Sequence, residues 1–260
     1  MGALVRAAGG EFVAPGPQDF ILPPIFGSVT KPMVLVVLSV VIVAGFFLLS
    51  TRKMKVVPGK GQFLAESVYD FGRNNIAREQ IGSKDFKPFI PLILSLFTFI
   101  LVNNIFGIIP FIQYPTMARI GFPLALSVFV VYPVYHYVGI RRHGLRGYLK
   151  NQLFPPNVPK FVYVLLTPIE IFQKFFMNPL TLAIRVFAAM FAGHLIIGVF
   201  TLGGAFLLEQ SSFALKGVSV VAFLFGIAMT LLEAFIQVLQ AYIFAILAAS
   251  FIGAALASDH

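Results

Sequence analysis

The chain has 260 residues, of which 58% are hydrophobic and 11% are charged, and its mean hydropathy is +0.91. Soluble domains are about 45–50% apolar and about 25% charged, so this chain has too few charges to cover a water-exposed surface. The net charge of +9 could suit nucleic acid in a soluble protein, but most basic residues here flank apolar segments. The composition therefore predicts an integral membrane protein with no nucleic-acid partner. The absence of cysteine excludes disulfides, thiolate metal sites and cysteine nucleophiles.

The chain begins with a segment rich in glycine and proline that contains no long apolar run. We expect residues 1–30 to be an extracytoplasmic N-terminal segment and residues 31–260 to form a single membrane domain. The first predicted span covers residues 33–50, because this uncharged stretch is long enough to cross a bilayer as a helix. Residues 61–80 are then predicted to form an amphipathic helix on the membrane surface. Its apolar face is formed by Leu64, Val68 and Phe71.

Two further uncharged spans are predicted over residues 89–110 and 121–140. The first carries the amides of Asn103 and Asn104, and the second has His136 near its end. A basic loop with a proline-rich tail is predicted after residue 140. Its basic residues and prolines are Arg141, Arg142, Arg146, Lys150, Pro155, Pro156 and Pro159.

The remainder of the chain is apolar almost to its end and contains two predicted spans. Prolines should break or kink the first of them, residues 161–208, at Pro168 and at Pro179. The second, residues 217–258, has Glu233 as its only charged side chain. It would be about 63 Å long at about 1.5 Å per residue, which indicates one strongly tilted helix. The predicted fold is an all-α integral membrane protein with about five transmembrane helices plus an amphipathic surface helix, the last two spans forming a long tilted hairpin.

The distribution of lysine and arginine predicts the orientation of the chain, because cytoplasmic loops carry an excess of positive charge. Of the 19 basic residues, eight lie between the first and second spans and five between the third and fourth. Four lie at the opposite ends of the spans: Arg6, Lys31, Arg119 and Lys216. The N-terminus is therefore predicted to be outside and the C-terminus in the cytoplasm.

Four isolated polar residues in the last two spans pair by depth. In an antiparallel hairpin of helices, residues equally far along the chain from the turn lie at the same depth. Arg185 and Gln240 are symmetric about the polar turn at Ser211–Ser212, and so are His194 and Glu233. One face of the last helix, at spacings of i, i+4 and i+7, carries Glu233, Gln237 and Gln240.

Arg185 is the most informative of these residues. A charged side chain at membrane depth costs about 2.5–3.5 kcal/mol on insertion scales, and a guanidinium cannot become neutral by losing a proton. The nearest carboxylate in the hairpin, Glu233, differs from Arg185 in depth by about 10 Å. We infer that the partner of Arg185 is a carboxylate on another subunit. The alternative is an arginine bonded to amides such as Gln240 or to free carbonyls near Pro179.

His194 and Glu233 can both exchange protons, which suits a proton relay or a water-filled vestibule. The alternative is a hydrogen-bonded pair that only holds two helices together. The other polar residues have less specific patterns. Asn103 and Asn104 are predicted to join helices, His136 to lie at the membrane interface, and Glu170 to pair with Lys174 four residues on.

The polar residues lie within segments that resemble a known family. Residues 181–194, Thr-Leu-Ala-Ile-Arg-Val-Phe-Ala-Ala-Met-Phe-Ala-Gly-His, resemble the signature helix of subunit a of F-type ATP synthases. Gln-Ala-Tyr-Ile-Phe at 240–244 resembles that family's motif in the last helix. The resemblance runs from about Val56 to the C-terminus. Shorter matching stretches are residues 57–62, 104–110 and 167–170.

Two positions depart from the family pattern. Position 189 is alanine where the family usually has asparagine, so a channel-lining role for that amide is not expected in this chain. Position 186 is valine rather than leucine, which changes packing only.

The resemblance implies a stationary subunit that faces a rotating ring of c subunits, each with one carboxylate at mid-membrane depth. Two offset aqueous half-channels would load and unload that carboxylate, coupling proton flow to ATP synthesis. Arg185 would be the essential charge facing the ring. The implied proton path comprises His194, Glu233, Gln237 and Gln240, with Asn103, Asn104 and Glu170 as accessory polar groups. The implied partners are the c-subunit ring, peripheral-stalk b-type subunits, other ATP synthase subunits, the lipid bilayer and protons, with no cofactor and no metal.

Two other functions fit the residues without the resemblance. One is a stand-alone proton-coupled secondary transporter, although the chain has no convincing internal repeat. The other is a purely structural membrane anchor. Nucleotide chemistry is not expected in this chain, because it has no phosphate-binding Gly-rich loop. The expected location is a bacterial plasma membrane, and the alternative is a mitochondrial inner membrane.

Overall fold

The computed structural model describes residue 12 and residues 14–52, 54–109, 112–153, 162–210 and 212–257. In this part of the chain, five helices are long and apolar enough to cross a membrane. The fold is therefore that of an all-α integral membrane protein, as predicted. Several residues used above lie outside the described ranges: Arg6, Lys53, Pro155, Pro156, Pro159, Lys160, Ser211 and residue 258.

Six helical elements follow one another along the chain, and some of them change helix type on the way. They are α1 (Lys31–Thr51), α2 (Lys60–Asp70, continued by a π-helical segment Phe71–Arg78 and by Glu79–Ile81), α3 (Lys87–Ile105), α4 (Gly121–Ala125, a π-helical segment Leu126–Val131 and Tyr132–Leu153), α5 (Tyr163–Phe172, a π-helical segment Gln173–Met177 and Asn178–Glu209) and α6 (Phe213–Leu256).

Short elements precede α1 and connect α3 to α4. A 3₁₀ turn, Pro17–Phe20, is followed by a two-stranded antiparallel ribbon of β1, Pro24–Phe26, and β2, Val29–Thr30. A second 3₁₀ turn, Thr116–Ala118, lies between α3 and α4. The sequence patterns did not predict the ribbon, because strands of two and three residues are too short to show alternation.

The third span ends differently from its prediction. The basic residues after residue 140 were expected in a loop, but they lie in helix on both sides of a kink at Gly144, and the second helical part ends at Leu153. Arginine, leucine and lysine all favour helix, which explains the extension. Gly144 interrupts it with a φ of 71°, a conformation that glycine adopts without strain. The second predicted span, 89–110, was too long at its C-terminal end, since α3 ends at Ile105.

Neither proline in α5 ends that helix. Pro168 lies inside Tyr163–Phe172, and Pro179 lies in the first turn of Asn178–Glu209. A proline inside a helix lacks a backbone N–H, and its ring clashes with the carbonyl four residues earlier. The π-helical segment Gln173–Met177 ends two residues before Pro179 and contains the carbonyl four residues before that proline, so its wider turn accommodates the clash.

The last helix is continuous, as predicted from the absence of glycine and proline in its middle. Its N-terminal half exposes apolar side chains, whereas its C-terminal half is buried against α2, α3 and α4. Small side chains make up much of the buried half, which lets neighbouring helices approach closely. They are Ala241, Ala245, Ala248, Ala249 and Ala255.

The amphipathic helix α2 packs through part of the predicted face and through residues beyond it. Val68 and Phe71 pack against the core as predicted, but Leu64 is 54% exposed. The fully buried residues are Ala65, Ile76 and Ala77. Ile76 and Ala77 lie in the π-helical segment, where wider turns change the spacing that a regular α-helix would have.

We predict that Gly253→Ala destabilises the fold. A Cβ at Gly253 would collide with the backbone carbonyl of Gln80 in α2, where no flexible side chain can move away. Overpacking of this kind costs about 1–3 kcal/mol, and thermal unfolding of the protein in detergent should show it as a lower Tm. Gly217→Ala is the matched control in the same helix, because a Cβ there meets nothing within 4 Å. Equal Tm values for the two variants would contradict the prediction.

Candidate functional site

The hairpin of α5 and α6 keeps a constant register. The Gly204 backbone carbonyl accepts a hydrogen bond of 2.6 Å from the Ser219 hydroxyl. The rings of Phe200 and Phe225 stack with their centroids 5.8 Å apart. Each of these pairs is nearly symmetric about residues 212 and 213. The same register brings His194 to the level of Glu233. The predicted pairing by depth is confirmed for these two residues.

His194 and Glu233 form the ionisable pair of the hairpin. The His194 Nδ1 atom lies 3.8 Å from the Glu233 Oε1 atom, within ion-pair range but outside hydrogen-bond distance. The Glu233 side chain is 2% exposed and that of His194 is 25% exposed. Gly193 provides the space for the carboxylate, because a Cβ there would lie 3.2 Å from both the Cγ and Cδ atoms of Glu233.

Gln237 joins this pair to the rest of the bundle. Its side-chain amide donates a 3.3 Å hydrogen bond to the Glu233 Oε1 atom. Its backbone carbonyl accepts a 3.1 Å hydrogen bond from the Asn104 amide of α3. Gln240 is half-buried farther along α6. The polar face predicted on the last helix is therefore present.

Several buried polar atoms around the pair have no hydrogen-bond partner among the described residues. They are Asn104 Oδ1, His194 Nδ1, Glu233 Oε2, Gln237 Oε1 and Gln240 Oε1. An unsatisfied buried polar atom costs about 1–3 kcal/mol, so proteins rarely retain several together without a functional reason. Such a row can bind water and pass protons.

Arg185 lies on α5 at the level of Gln240 and is exposed. Among the described residues, it forms no hydrogen bond, and no carboxylate lies within 4.0 Å of it. Among the described residues, neither Gln240 nor a carbonyl near Pro179 bonds to Arg185, so the alternative with such bonds has no support here. The Pro179 carbonyl instead accepts a 2.8 Å hydrogen bond from Ser127.

Comparison with known proteins identifies the family to which the chain belongs. The pattern of the family described as ATP synthase A chain matches residues 33–253. The chain belongs to this family.

Relatives with the same description cover almost the whole chain. ATP synthase subunit a of Pseudarthrobacter chlorophenolicus is 46% identical over 262 residues, which are 99% of this chain and 98% of the relative. The subunit a of a Nocardioides species is 41% identical over 99% of this chain and 98% of the relative. That of Streptomyces lividans is 38% identical over 96% of this chain and 89% of the relative.

Membership of the ATP synthase A chain family decides between the functions considered above. The chain is a multi-pass membrane subunit of an ATP synthase, and its function is proton translocation as the stator subunit a. Neither the family match nor the relatives favour a stand-alone secondary transporter. The resemblance of residues 181–194 and 240–244 to subunit a of F-type ATP synthases is therefore confirmed.

The accessory polar groups of this ATP synthase subunit bridge helices. The Asn103 amide donates to the Ser39 hydroxyl of α1 at 2.7 Å, and its Oδ1 atom accepts from the Thr116 hydroxyl at 2.6 Å. Lys174 pairs with Glu170 at 2.9 Å, as predicted, and donates to a carbonyl of α4 at 2.7 Å. Only Asn104 of these groups reaches the His194–Glu233 cluster, through Gln237.

His136 belongs to an aromatic cluster away from the His194–Glu233 pair. Its Nδ1 atom lies 2.7 Å from the Tyr148 hydroxyl oxygen, and its ring stacks on Phe175 at 5.2 Å. Gly139 gives Tyr148 the space to fold back onto α4. The prediction of an interfacial position stays a prediction.

Two residues beside His194 were missed by the sequence reasoning. Phe20, from the N-terminal segment, places its ring 5.9 Å from the His194 ring. Gly193 supports Glu233, as described above. Nothing in the sequence marks Phe20, because a single phenylalanine in a proline-rich segment does not reveal a contact with a residue 174 positions away. Gly193 directly precedes His194 in the family motif, which is the signal that could have identified it.

We predict that Asn103→Leu destabilises the assembled ATP synthase without acting on proton transfer directly. The substitution removes the side-chain hydrogen bonds to Ser39 and Thr116, and the buried Thr116 hydroxyl keeps only a 3.5 Å bond to the backbone carbonyl of residue 103. Loss of buried hydrogen bonds of this kind costs about 1–3 kcal/mol. Dissociation of the subunit from the complex on heating in detergent measures the effect. Thr98→Val is the control on the same helix, since the Thr98 hydroxyl bonds only to carbonyls of α3. Lost pumping at unchanged stability would instead assign Asn103 to the proton path.

Proposed function

We propose that this chain passes protons between the two sides of the membrane and the carboxylates of a c-subunit ring, through two offset half-channels separated by Arg185. The observation that carries the proposal is the unpaired guanidinium on an exposed helix surface. At membrane depth an unpaired arginine costs about 2.5–3.5 kcal/mol on insertion scales. Because no carboxylate of the described residues lies within 4.0 Å, a ring carboxylate is the counter-charge that explains it.

The surface around Arg185 suits a partner of apolar character. On α5 its exposed neighbours are Leu180, Ile184 and Ala188. At nearby depth on α6, exposed apolar side chains are Phe235, Val238 and Leu239. Lipid or another membrane helix must cover these side chains. A ring helix presenting one carboxylate to Arg185 covers them and neutralises the charge, which a lipid tail cannot do.

Arg185 would act on the ring carboxylate through its fixed charge. A guanidinium next to a carboxylate favours the ionised form, so a ring site that reaches Arg185 must release its proton. The same positive charge repels a proton that would otherwise cross directly between the half-channels. Gln240, at the same depth, would position the guanidinium.

His194, Glu233 and Gln237 would form the polar lining of the half-channel that opens to the outside. Their unsatisfied buried atoms support this role, since water molecules could bond to them in a row. His194 and Glu233 are the proton-exchanging groups, and Gln237 holds the Glu233 carboxylate. Asn104 is an accessory group because it bonds to Gln237. Asn103 and Glu170 would support the path only by holding helices together.

The proposed orientation follows the distribution of positive charge. The N-terminal segment, residues 1–30, would lie outside, the C-terminus in the cytoplasm, and residues 31–260 would be one membrane domain in a bacterial plasma membrane. Five spanning helices require the two ends to lie on opposite sides. Peripheral-stalk b-type subunits would hold this stator against the ring. ATP formation would occur on other subunits of the complex.

We predict that Arg185→Ala abolishes ATP-driven proton pumping while the complex stays assembled. Loss of one preorganised charge from a low-dielectric site costs about 100-fold or more in rate. Acidification of inverted membrane vesicles measures pumping, and the decay of an imposed pH gradient measures passive leak. Added leak in the variant would support the barrier role.

Arg141→Ala is the matched control for this experiment, because it removes one exposed arginine from a different helix, α4. It should pump at nearly the wild-type rate. Pumping by Arg185→Ala at nearly the wild-type rate in fully assembled complexes would contradict the proposed mechanism and favour an anchor role.

A further inference from the structure

The N-terminal segment lies along the half of α5 that follows His194. The ring of Phe12 packs against Phe206 at 5.7 Å, and Pro15 lies against Gly198, where a Cβ would be 3.2 Å from the proline ring. Farther along, Phe20 packs against Phe191 at 4.9 Å. The segment thus runs antiparallel to α5 and ends with Phe20 beside His194.

Phe20 is held firmly at that position. Phe20 is only 7% exposed, and its backbone carbonyl accepts a 2.9 Å hydrogen bond from the Tyr114 hydroxyl. Burial raises the pKa of the Tyr114 hydroxyl, an effect that the nearby Arg119 opposes. The hydroxyl therefore remains a protonated donor at neutral pH.

The Phe20 ring lies against the imidazole ring of His194. The two rings meet edge to face, at 62° and a centroid distance of 5.9 Å, a geometry that aromatic pairs favour. The His194 Nδ1 atom has no hydrogen bond to hold it, since Glu233 lies 3.8 Å away. Packing must therefore determine which way the imidazole points.

Phe20 also lines an open groove of about 580 Å³ between the N-terminal segment, α4 and α5. The groove is mainly apolar and includes Phe187, Phe191 and Arg119. The same ring lines the groove and contacts His194. Removal of the ring would therefore open the groove to His194 and leave the imidazole free to rotate.

We propose that Phe20 is a positioning residue for proton transfer, whose ring holds the His194 imidazole toward Glu233 and separates the pair from the apolar groove. The inference rests on the function proposed above for His194 and Glu233. Phe20 exchanges no proton itself and acts only through His194.

The test compares ATP-driven pumping by assembled complexes in inverted vesicles. Phe20→Ala should lower the rate at least about threefold, within the range for coupled neighbouring residues. It should also change the shape of the dependence of the pumping rate on luminal pH, since His194 is no longer held against Glu233.

Phe20→Tyr, which keeps the ring, should retain most of the pumping activity. Tyr114→Phe removes the hydrogen bond to the Phe20 carbonyl and so loosens the N-terminal segment without leaving a cavity. It should change the pH profile in the same direction as Phe20→Ala, but less.

Phe86→Ala is the matched control, because Phe86 is equally buried in the main core and lies just before α3. This variant should leave the shape of the pH profile unchanged. Equal pH profiles for Phe20→Ala, Phe86→Ala and the wild type would overturn the inference. An equal fold-loss from Phe20→Ala in the wild type and in a His194→Gln background would also overturn it.

The His194→Gln variant separates the two proposals. If it pumps at the wild-type rate, the proposed role of His194 fails, and this inference fails with it. If it pumps poorly while Phe20→Ala pumps normally, only this inference fails. If pumping by His194→Gln is too low to measure further losses, the pH profiles of Phe20→Ala and Tyr114→Phe decide.

Discussion

An arginine that cannot lose its charge, on an apolar helix surface, is the constraint on which the rest of this molecule depends. Arg185 is exposed and has no carboxylate within 4.0 Å among the described residues. The described residues therefore leave its charge uncompensated, although a low-dielectric surface makes compensation necessary. This is consistent with the proposal that a carboxylate of another subunit compensates the charge in the ATP synthase to which the chain belongs.

Close packing of α5 and α6 gives the polar groups their positions. Glycines at 193, 204 and 226 let the two helices approach, so that Glu233 rests on Gly193 and Phe223 on Gly204. A Cβ at Gly193 or Gly204 would press on the facing side chain at 3.2–3.3 Å, whereas one at Gly226 would make ordinary contact. The polar residues need this rigidity, because His194 and Glu233 are held 3.8 Å apart by packing rather than by a direct hydrogen bond.

The departures from the predicted fold have local causes. The third span extends to Leu153 because a basic sequence with good helix propensity continues the helix around Gly144. In α2, the buried Ile76 and Ala77 lie in a π-helical segment, whose wider turns change the spacing on which a helical face is predicted. Hydrophobic periodicity assumes regular α-helix, so it cannot anticipate either a glycine break or a change of helix type.

The sequence by itself determined the five spans, the hairpin and the pairing of His194 with Glu233, because bilayer thickness and helical rise constrain long apolar segments so strongly. It also identified Arg185 as a charge without a partner. Only the tertiary structure decided that Asn104 supports Gln237, that Asn103 joins α1 to α3, and that Phe20 lies against His194. Those contacts join residues far apart in the chain, and they depend on how helices rotate and approach one another, which periodicity within one segment does not encode.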